Sequence, residues 1–243
     1  MNLFDTSSYA VPKGKGMRES VNVLKRVADS IAAADRSIVW PANYFVVTSP
    51  KQMQRIAELV RADGQLIFDV ETTGLHPWKD RILCVSIWAD GKAFVIPFEH
   101  QFQETASKAD FVTALGWAFN DPGVKLINHN VKFDCHFIEE YLKVPIGSIY
   151  LDTMLLAWLL DPTADHGLKD LAVIYGFAEA TGGYKKQFGD TAWSYITPKV
   201  ANYYACKDVD LVAKLMVEQF RLLAKKPKME SLFWDIEIPV MNE

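Results

Sequence analysis

Asp69 and Glu71 stand one residue apart at the end of an apolar run, in the stretch Leu66-Ile67-Phe68-Asp69-Val70-Glu71-Thr72-Thr73-Gly74-Leu75. A β-strand turns alternate side chains to the same face, so this spacing sets the two carboxylates side by side. Where the faces of a sheet are covered, such acids repel each other and lose hydration, and they need a cation or a shared proton. Asp-x-Glu at a strand end is therefore a candidate divalent-metal site. The bland alternative is a pair of acids that merely ends a strand. Thr73-Gly74 then turns the chain away, and the glycine lets backbone approach a ligand closely.

The chain has 243 residues, half of them hydrophobic, enough for one large domain with appendages. A net charge of -4 argues against a surface that grips long duplex DNA all over, and leaves room for a cleft that holds a few phosphates. Cys84, Cys135 and Cys206 stand singly, without the spacing of a disulfide framework or a zinc site, and read as reduced thiols. With no N-terminal apolar signal and no apolar run of membrane length, the expected protein is soluble, cytoplasmic and off the membrane.

Pro12-Lys13-Gly14-Lys15-Gly16 ends an aperiodic leader, and Val21, Leu24, Ala28 and Ile31 predict a packing helix from Met17 to about Ala34. A short strand at Tyr44-Phe45-Val46-Val47 and a helix opened by Ser49-Pro50 lead into the acid-bearing strand. Two more strands follow, Arg81 to Trp88 and Ala93 to Phe98, joined through Asp90-Gly91 as a hairpin. Next come a helix from Phe111 to Phe119, a buried strand at Lys125-Leu126-Ile127, and the cluster His129-Asn130-Val131-Lys132-Phe133-Asp134, which opens a helix running through Leu142. Asp152 reads as the N-cap of an apolar core helix, Leu168 to Tyr175 as a short helix, and Lys199 to about Ala224 as a long one. Gly182 to Asp190 reads as a mobile, partly basic loop with aromatic members. This order predicts an α/β domain with a mixed sheet and helices on both faces.

Two further acids lie beside apolar core sequence: Asp134 at a helix start and Asp208 on the long helix. Tyr204 precedes Asp208 by one helical turn and shares its face, whereas Asp210 points about half a turn away. Each acid has an ordinary reading, as a cap or a solvated side chain. Together they form an all-oxygen donor set that suits Mg²⁺ or Mn²⁺, and paired ions of that kind serve in-line phosphoryl displacement.

The segments Asp69-Val70-Glu71-Thr72-Thr73-Gly74-Leu75, Asn130-Val131-Lys132-Phe133-Asp134 and Tyr204-Ala205-Cys206-Lys207-Asp208 resemble the three motifs of the DEDD superfamily of 3'-5' exonucleases. Tyr204 resembles the mark of the tyrosine subclass. Within it the chain most resembles the proofreading domain of the bacterial and phage DNA polymerase I family, family A. Asp152-Thr153-Met154-Leu155 with Gly167-Leu168-Lys169-Asp170-Leu171-Ala172 is similar to the family's segment between its second and third motifs. Trp234-Asp235-Ile236-Glu237-Ile238-Pro239-Val240 looks like the linker where a polymerase domain begins. The likeness divides the chain into a leader and helix over 1–43, an exonuclease domain over 44–226, and the start of a linker over 227–243.

The resemblance implies a ribonuclease H-like fold and a two-metal-ion 3'-5' exodeoxyribonuclease using Mg²⁺ or Mn²⁺. It implies that Asp69, Glu71 and Asp208 ligate one ion, with Asp69 shared with a second that Asp134 holds largely through water. Tyr204 would orient the attacking water without ionising. Glu71 and Thr72 would meet the terminal 3'-hydroxyl, and Leu75 would wedge against the last base. Phe188 or Tyr184 would pack on that base, Asn130 would buttress the site, and Lys132 would lie near phosphate or in solvent. His129 reads as structural. The implied substrate is a single-stranded or frayed 3' end of DNA, cut to nucleoside 5'-monophosphates in proofreading. The implied setting is a monomer in a bacterial cytoplasm, of bacterial or phage origin, attached to or beside a DNA polymerase. A ribonuclease D-like enzyme trimming RNA 3' ends would use the same acids and tyrosine. A non-catalytic nucleic-acid-binding scaffold is the third reading, and the complete acid set weighs against it. The net charge of -4 implies weak, salt-sensitive binding.

Overall fold

The sheet is built outward from a hairpin. Asp90 and Gly91 both take positive φ, 50° and 71°, the conformation of a two-residue turn whose twist matches that of the flanking strands. In the computed structural model, residues 15–177, 193 and 196–243 are described, with side chains of the first helix from Lys25 onward. The elements are α1 (Lys15–Ser37), β1 (Tyr44–Val46), α2 (Pro50–Asp63), β2 (Gln65–Thr72), β3 (Ile82–Ala89), β4 (Lys92–Pro97) and α3 (Lys108–Leu115), which a 3₁₀ turn extends over Gly116–Phe119. There follow β5 (Lys125–Asn128), α4 (Val131–Leu142), β6 (Ile149–Asp152), α5 (Thr153–Leu160) and α6 (Leu168–Ile174). The long α7 (Pro198–Leu223), α8 (Pro227–Leu232), a π-helical turn at Phe233–Glu237 and α9 (Ile238–Met241) close the chain.

The strands lie in the order β1-β4-β3-β2-β5-β6. β4, β3 and β2 are antiparallel neighbours, whereas β2, β5 and β6 run parallel, and β1 pairs parallel with β4. This is a mixed α/β sheet with helices on both faces, as the alternation of elements predicts and as a ribonuclease H-like fold requires. The acid-bearing strand sits centrally and divides its side chains between two cores. Leu66, Phe68 and Val70 pack with Met53, Ile56, Phe111, Leu115, Phe137 and Ile138 from α2, α3 and α4. Ile67 packs on the other face with Val200, Ala205, Val209 and Val212 of α7. By the same alternation Asp69 and Glu71 face α7.

One segment differs from the sequence expectation. Ile149-Tyr150-Leu151-Asp152 forms a strand that runs straight into α5. Asp152 marks the helix start, but a four-residue strand ending on it is too short to show a strand period. The stretch expected as a linker, 227–243, packs on the domain: Phe233 is fully buried, and Met241 is buried in the opposite core. Asn242 also pairs with both backbone groups of Ile149, accepting from its N–H at 2.7 Å and donating to its carbonyl at 3.0 Å. That contact covers the edge of β6 with a side-chain amide. The leader before Lys15 and the loop at 182–190 lie outside the described residues. Among the described residues, no helix is long and apolar enough to cross a membrane.

Asp152 joins three elements. Its carboxylate accepts from Met154 N at 2.8 Å, capping α5, and also from Asn130 N and Val131 N, both at 3.0 Å, at the start of α4. The side chain is buried. Asp152→Ala strands three donors and is expected to lower stability by about 2–4 kcal/mol. Asp152→Asn, which keeps one acceptor oxygen, is expected to lose less. Urea unfolding of the two variants against the parent checks this, and equal midpoints would refute it.

Candidate metal centre

The parallel strands β2, β5 and β6 end on the same side of the sheet, and a crevice beyond the carboxyl ends of such strands is where α/β folds gather ligand groups. β2 brings Asp69 and Glu71 there. The turn after β5 brings Asn130 and then Asp134, in the first turn of α4. α7 crosses above β2 and supplies Asp208, with Tyr204 one turn earlier on the same face. Asp69, Glu71 and Asp208 each offer a carboxylate oxygen, and these atoms all lie within 4.8 Å of one another. Three hard, anionic oxygens at that separation form a donor set for a divalent cation such as Mg²⁺ or Mn²⁺.

The cost of holding these acids together shows in their proton affinity. Burial pushes the Asp69 carboxyl up to about 6, against the pull of Lys169. Glu71 rises to about 7, through burial first and the Asp69 charge second. Asp134 is likewise raised well above the ordinary carboxylate range by burial and by Asp69. A cation bound among these groups would relieve both costs at once.

Asp134 stands beside the cluster rather than in it. It is 3% exposed, and one oxygen accepts from Val70 N at 2.9 Å, the backbone link between Asp69 and Glu71. Asp134 thus fixes the pitch of the acid-bearing strand beyond the last β2–β5 pair, Ile67 with Ile127. Asn130 caps α4 in the left-handed conformation with φ 66° and is exposed, as is Lys132. His129 pairs through Nδ1 with Thr153 Oγ1 at 2.9 Å, and burial lowers its pKa to about 4, so it is a neutral hydrogen-bonding group. Tyr204 lies edge-on to Tyr203, ring centroids 5.6 Å apart. Thr72 donates its hydroxyl to Gly74 O at 2.7 Å, tightening the turn that carries Leu75. Leu75 is 76% exposed and Trp78, on the same loop, 75%. Phe188 and Tyr184 lie outside the described residues.

Three more residues shape this region: Asp152, read from sequence only as a helix cap, and Asp80 and Lys169, to which sequence reasoning gave no role. Asp152 positions α4. Asp80 accepts from Thr73 Oγ1 at 3.2 Å and from His76 N at 2.9 Å, folding the loop of Leu75 and Trp78. A Cβ at Gly74 would meet the Asp80 carboxylate at 2.5 Å, so a side chain there would push that carboxylate from Thr73 and His76. Lys169 of α6 forms an ion pair with Asp208, and burial holds its ammonium down to about 8. A lysine beside an acid, as in Lys79-Asp80 and Lys169-Asp170, is too common a pattern to flag Asp80 or Lys169 from sequence.

A protein family described as 3'-5' exonuclease matches residues 44–221. DNA polymerase I of Treponema pallidum is 27% identical over 243 residues, which cover 82% of this chain and 24% of that protein. The chain spans about a fifth to a quarter of the length of the curated relatives it matches. Among solved structures, Brucella melitensis NrnC aligns with a TM-score of 0.58 at 20% identity, covering 79% of this chain and 87% of that one. Escherichia coli RNase D, an exoribonuclease involved in structured RNA processing, aligns with a TM-score of 0.56 at 17% identity, covering 77% and 49%. The chain belongs to the DEDD superfamily of 3'-5' exonucleases, in the family related to the proofreading domains of DNA polymerase I.

The raised carboxyls fix the sign of a pH effect. Asp69 and Glu71 hold protons to about 6 and about 7 in the fold, and in the unfolded chain lose them near their ordinary values of 3.8 and 4.5. Their contribution to stability is therefore present at low pH and is lost as pH rises through about 7. A divalent ion needs the deprotonated acids, so it restores what they lose. The rise in melting temperature on adding Mn²⁺ is expected to be small at pH 5.5 and several degrees larger at pH 7.5. Thermal denaturation with and without Mn²⁺ tests this, and an equal rise at both pH values would contradict it.

Proposed function

We propose that this chain is a metal-dependent exonuclease that hydrolyses the terminal phosphodiester bond at single-stranded 3' ends and releases nucleoside 5'-monophosphates. The observation that carries the reading is the convergence of Asp69, Glu71 and Asp208 within 4.8 Å in a member of the 3'-5' exonuclease family. Divalent ions bound by Asp69, Glu71 and Asp208, with Asp134 alongside, would supply an activated water and neutralise charge on the leaving 3'-oxygen. Tyr204, on the same face of α7 as Asp208, would hydrogen-bond and orient the attacking water. A phenol retains its proton at neutral pH, so its task is positioning. Glu71 and the Thr72 backbone would receive the terminal 3'-hydroxyl. Leu75 would press on the last base, a contact indifferent to sequence. Asn130 and Lys132, exposed at the start of α4, would lie towards the incoming strand. We place this activity in residues 44–226.

DNA is the substrate that the sequence relatives favour, since those named are DNA polymerases, and proofreading beside a polymerase is the corresponding role. RNA trimming is the second reading, favoured by fold neighbours that include RNase D. The Thr72 hydroxyl donates to Gly74 O, which leaves the Thr72 backbone as its group for the terminal hydroxyl. The test is digestion of matched 5'-labelled DNA and RNA oligonucleotides with Mn²⁺, with Mg²⁺ and with EDTA. Stepwise shortening that needs metal is expected, and the faster of the two substrates decides the sugar. Asp69→Ala is expected to reduce the rate at least 10³-fold, on the order of the loss seen when a charge-stabilising group is removed from an active site. Undiminished shortening by that variant would end the assignment.

A further inference from the structure

Lys169 is a cation inside the site to which the reaction just described gives no task. It occupies the first turn of α6, and α6 is held against α7 by Leu171 packing with Ala157 and Leu215. That packing carries Lys169 to Asp208, where its ammonium forms an ion pair with Asp208 Oδ1. Among the described residues, it is the one ion pair whose acid belongs to the metal-binding cluster. Its field also reaches Asp69 and Glu71, favouring the charged form of each. The other nearby lysine, Lys207, turns instead towards the ring of Tyr203, 5.8 Å from its centroid.

The position has a consequence for metal binding. A divalent ion that takes Asp208 as a ligand must compete with the ammonium for the same oxygens. A lysine has a flexible four-carbon stem, so its head can leave while α6 stays in place. The Lys169 side chain is 32% exposed although its Nζ is buried, so the stem already borders solvent while the head sits inside the site.

Building on the metal-centre reading, we propose that Lys169 is an internal counter-cation of the carboxylate cluster that exchanges with the divalent ion at Asp208. The ammonium neutralises part of the three-acid cluster when metal is scarce and moves to solvent when the ion binds. The three acids therefore hold together without metal, and metal affinity is lower than the acids alone would give. Lys169 is a positioning residue in this scheme, acting through Asp208.

The test measures Mn²⁺ binding to the full chain by electron paramagnetic resonance of the free ion, for the parent, Lys169→Met, Lys169→Arg and Asp69→Asn. Lys169→Met is expected to bind Mn²⁺ roughly five- to tenfold more tightly, the scale of removing one competing charge. Lys169→Arg, which keeps the charge, should stay near the parent. A purely structural role would lower the melting temperature of Lys169→Met and leave Mn²⁺ affinity unchanged. That outcome, or weaker binding, overturns the proposal. Equal binding by the parent and Asp69→Asn would instead remove the metal centre itself, and with it the exchange. A second measurement uses the parent alone: amine acylation of Lys169, followed by peptide mass spectrometry, is expected to speed up several-fold when Mg²⁺ is added. Unchanged labelling overturns the exchange even if Lys169→Met fails to fold.

Discussion

Mutual repulsion among carboxylates is the constraint on which this structure turns. Asp69, Glu71 and Asp208 are drawn together between β2 and α7, where burial raises the cost of every negative charge. No fold gains stability from such a cluster by itself. The apolar packing of Ile67 against α7, chiefly Ala205, Val209 and Val212, holds the two elements in register regardless. The site is therefore a local conflict maintained by the surrounding core, and its acids become compatible when a cation joins them. That is the sense in which fold and chemistry are one arrangement here.

A second group of acids stabilises what the first strains. Asp134 receives the Val70 N–H from the middle of the acid-bearing strand, and Asp152 receives three N–H groups at the starts of α4 and α5. Each answers backbone donors that the parallel ladder and the helix ends leave unpaired. Asp134 is thereby both a neighbour of the metal cluster and a structural acceptor for the strand that carries it. Moving it would shift Asp69 and Glu71 as well, so a loss of activity at Asp134 reports on geometry as much as on ligation.

The parts of the fold that the sequence made legible are those with a distinct period or a distinct turn. Asp90-Gly91 named its hairpin because only residues tolerant of positive φ serve there, and Ser49-Pro50 opened α2 with a side chain that does cap it. The alternation of β2 put Asp69 and Glu71 on one face, and helical spacing put Tyr204 with Asp208. β6 escaped because Ile149-Tyr150-Leu151, ahead of the Asp152 cap, is too short to show a strand period of its own. The meeting of β2 with α7 depends on tertiary packing, which spacing does not encode, and there the motif resemblance supplied what periodicity lacked. Lys169 escaped for the same reason: nothing local in Leu168-Lys169-Asp170-Leu171 shows which acid its head will meet.

The loop beyond β2 is held by its own hydrogen bonds. Thr72 Oγ1, Thr73 Oγ1 and His76 N are all tied within the loop, the latter two by Asp80. Gly74 leaves room for that carboxylate. The loop is thus held in shape before any substrate arrives, and ordering it costs little at the moment of binding. What it then offers outward is Leu75 and Trp78, both about three-quarters exposed. On the proposed function, an apolar wedge and an indole face would contact any base through its ring and read no hydrogen-bonding edge. Glu71 and the backbone of β2 would then meet the terminal 3'-hydroxyl, while base identity would be left unread.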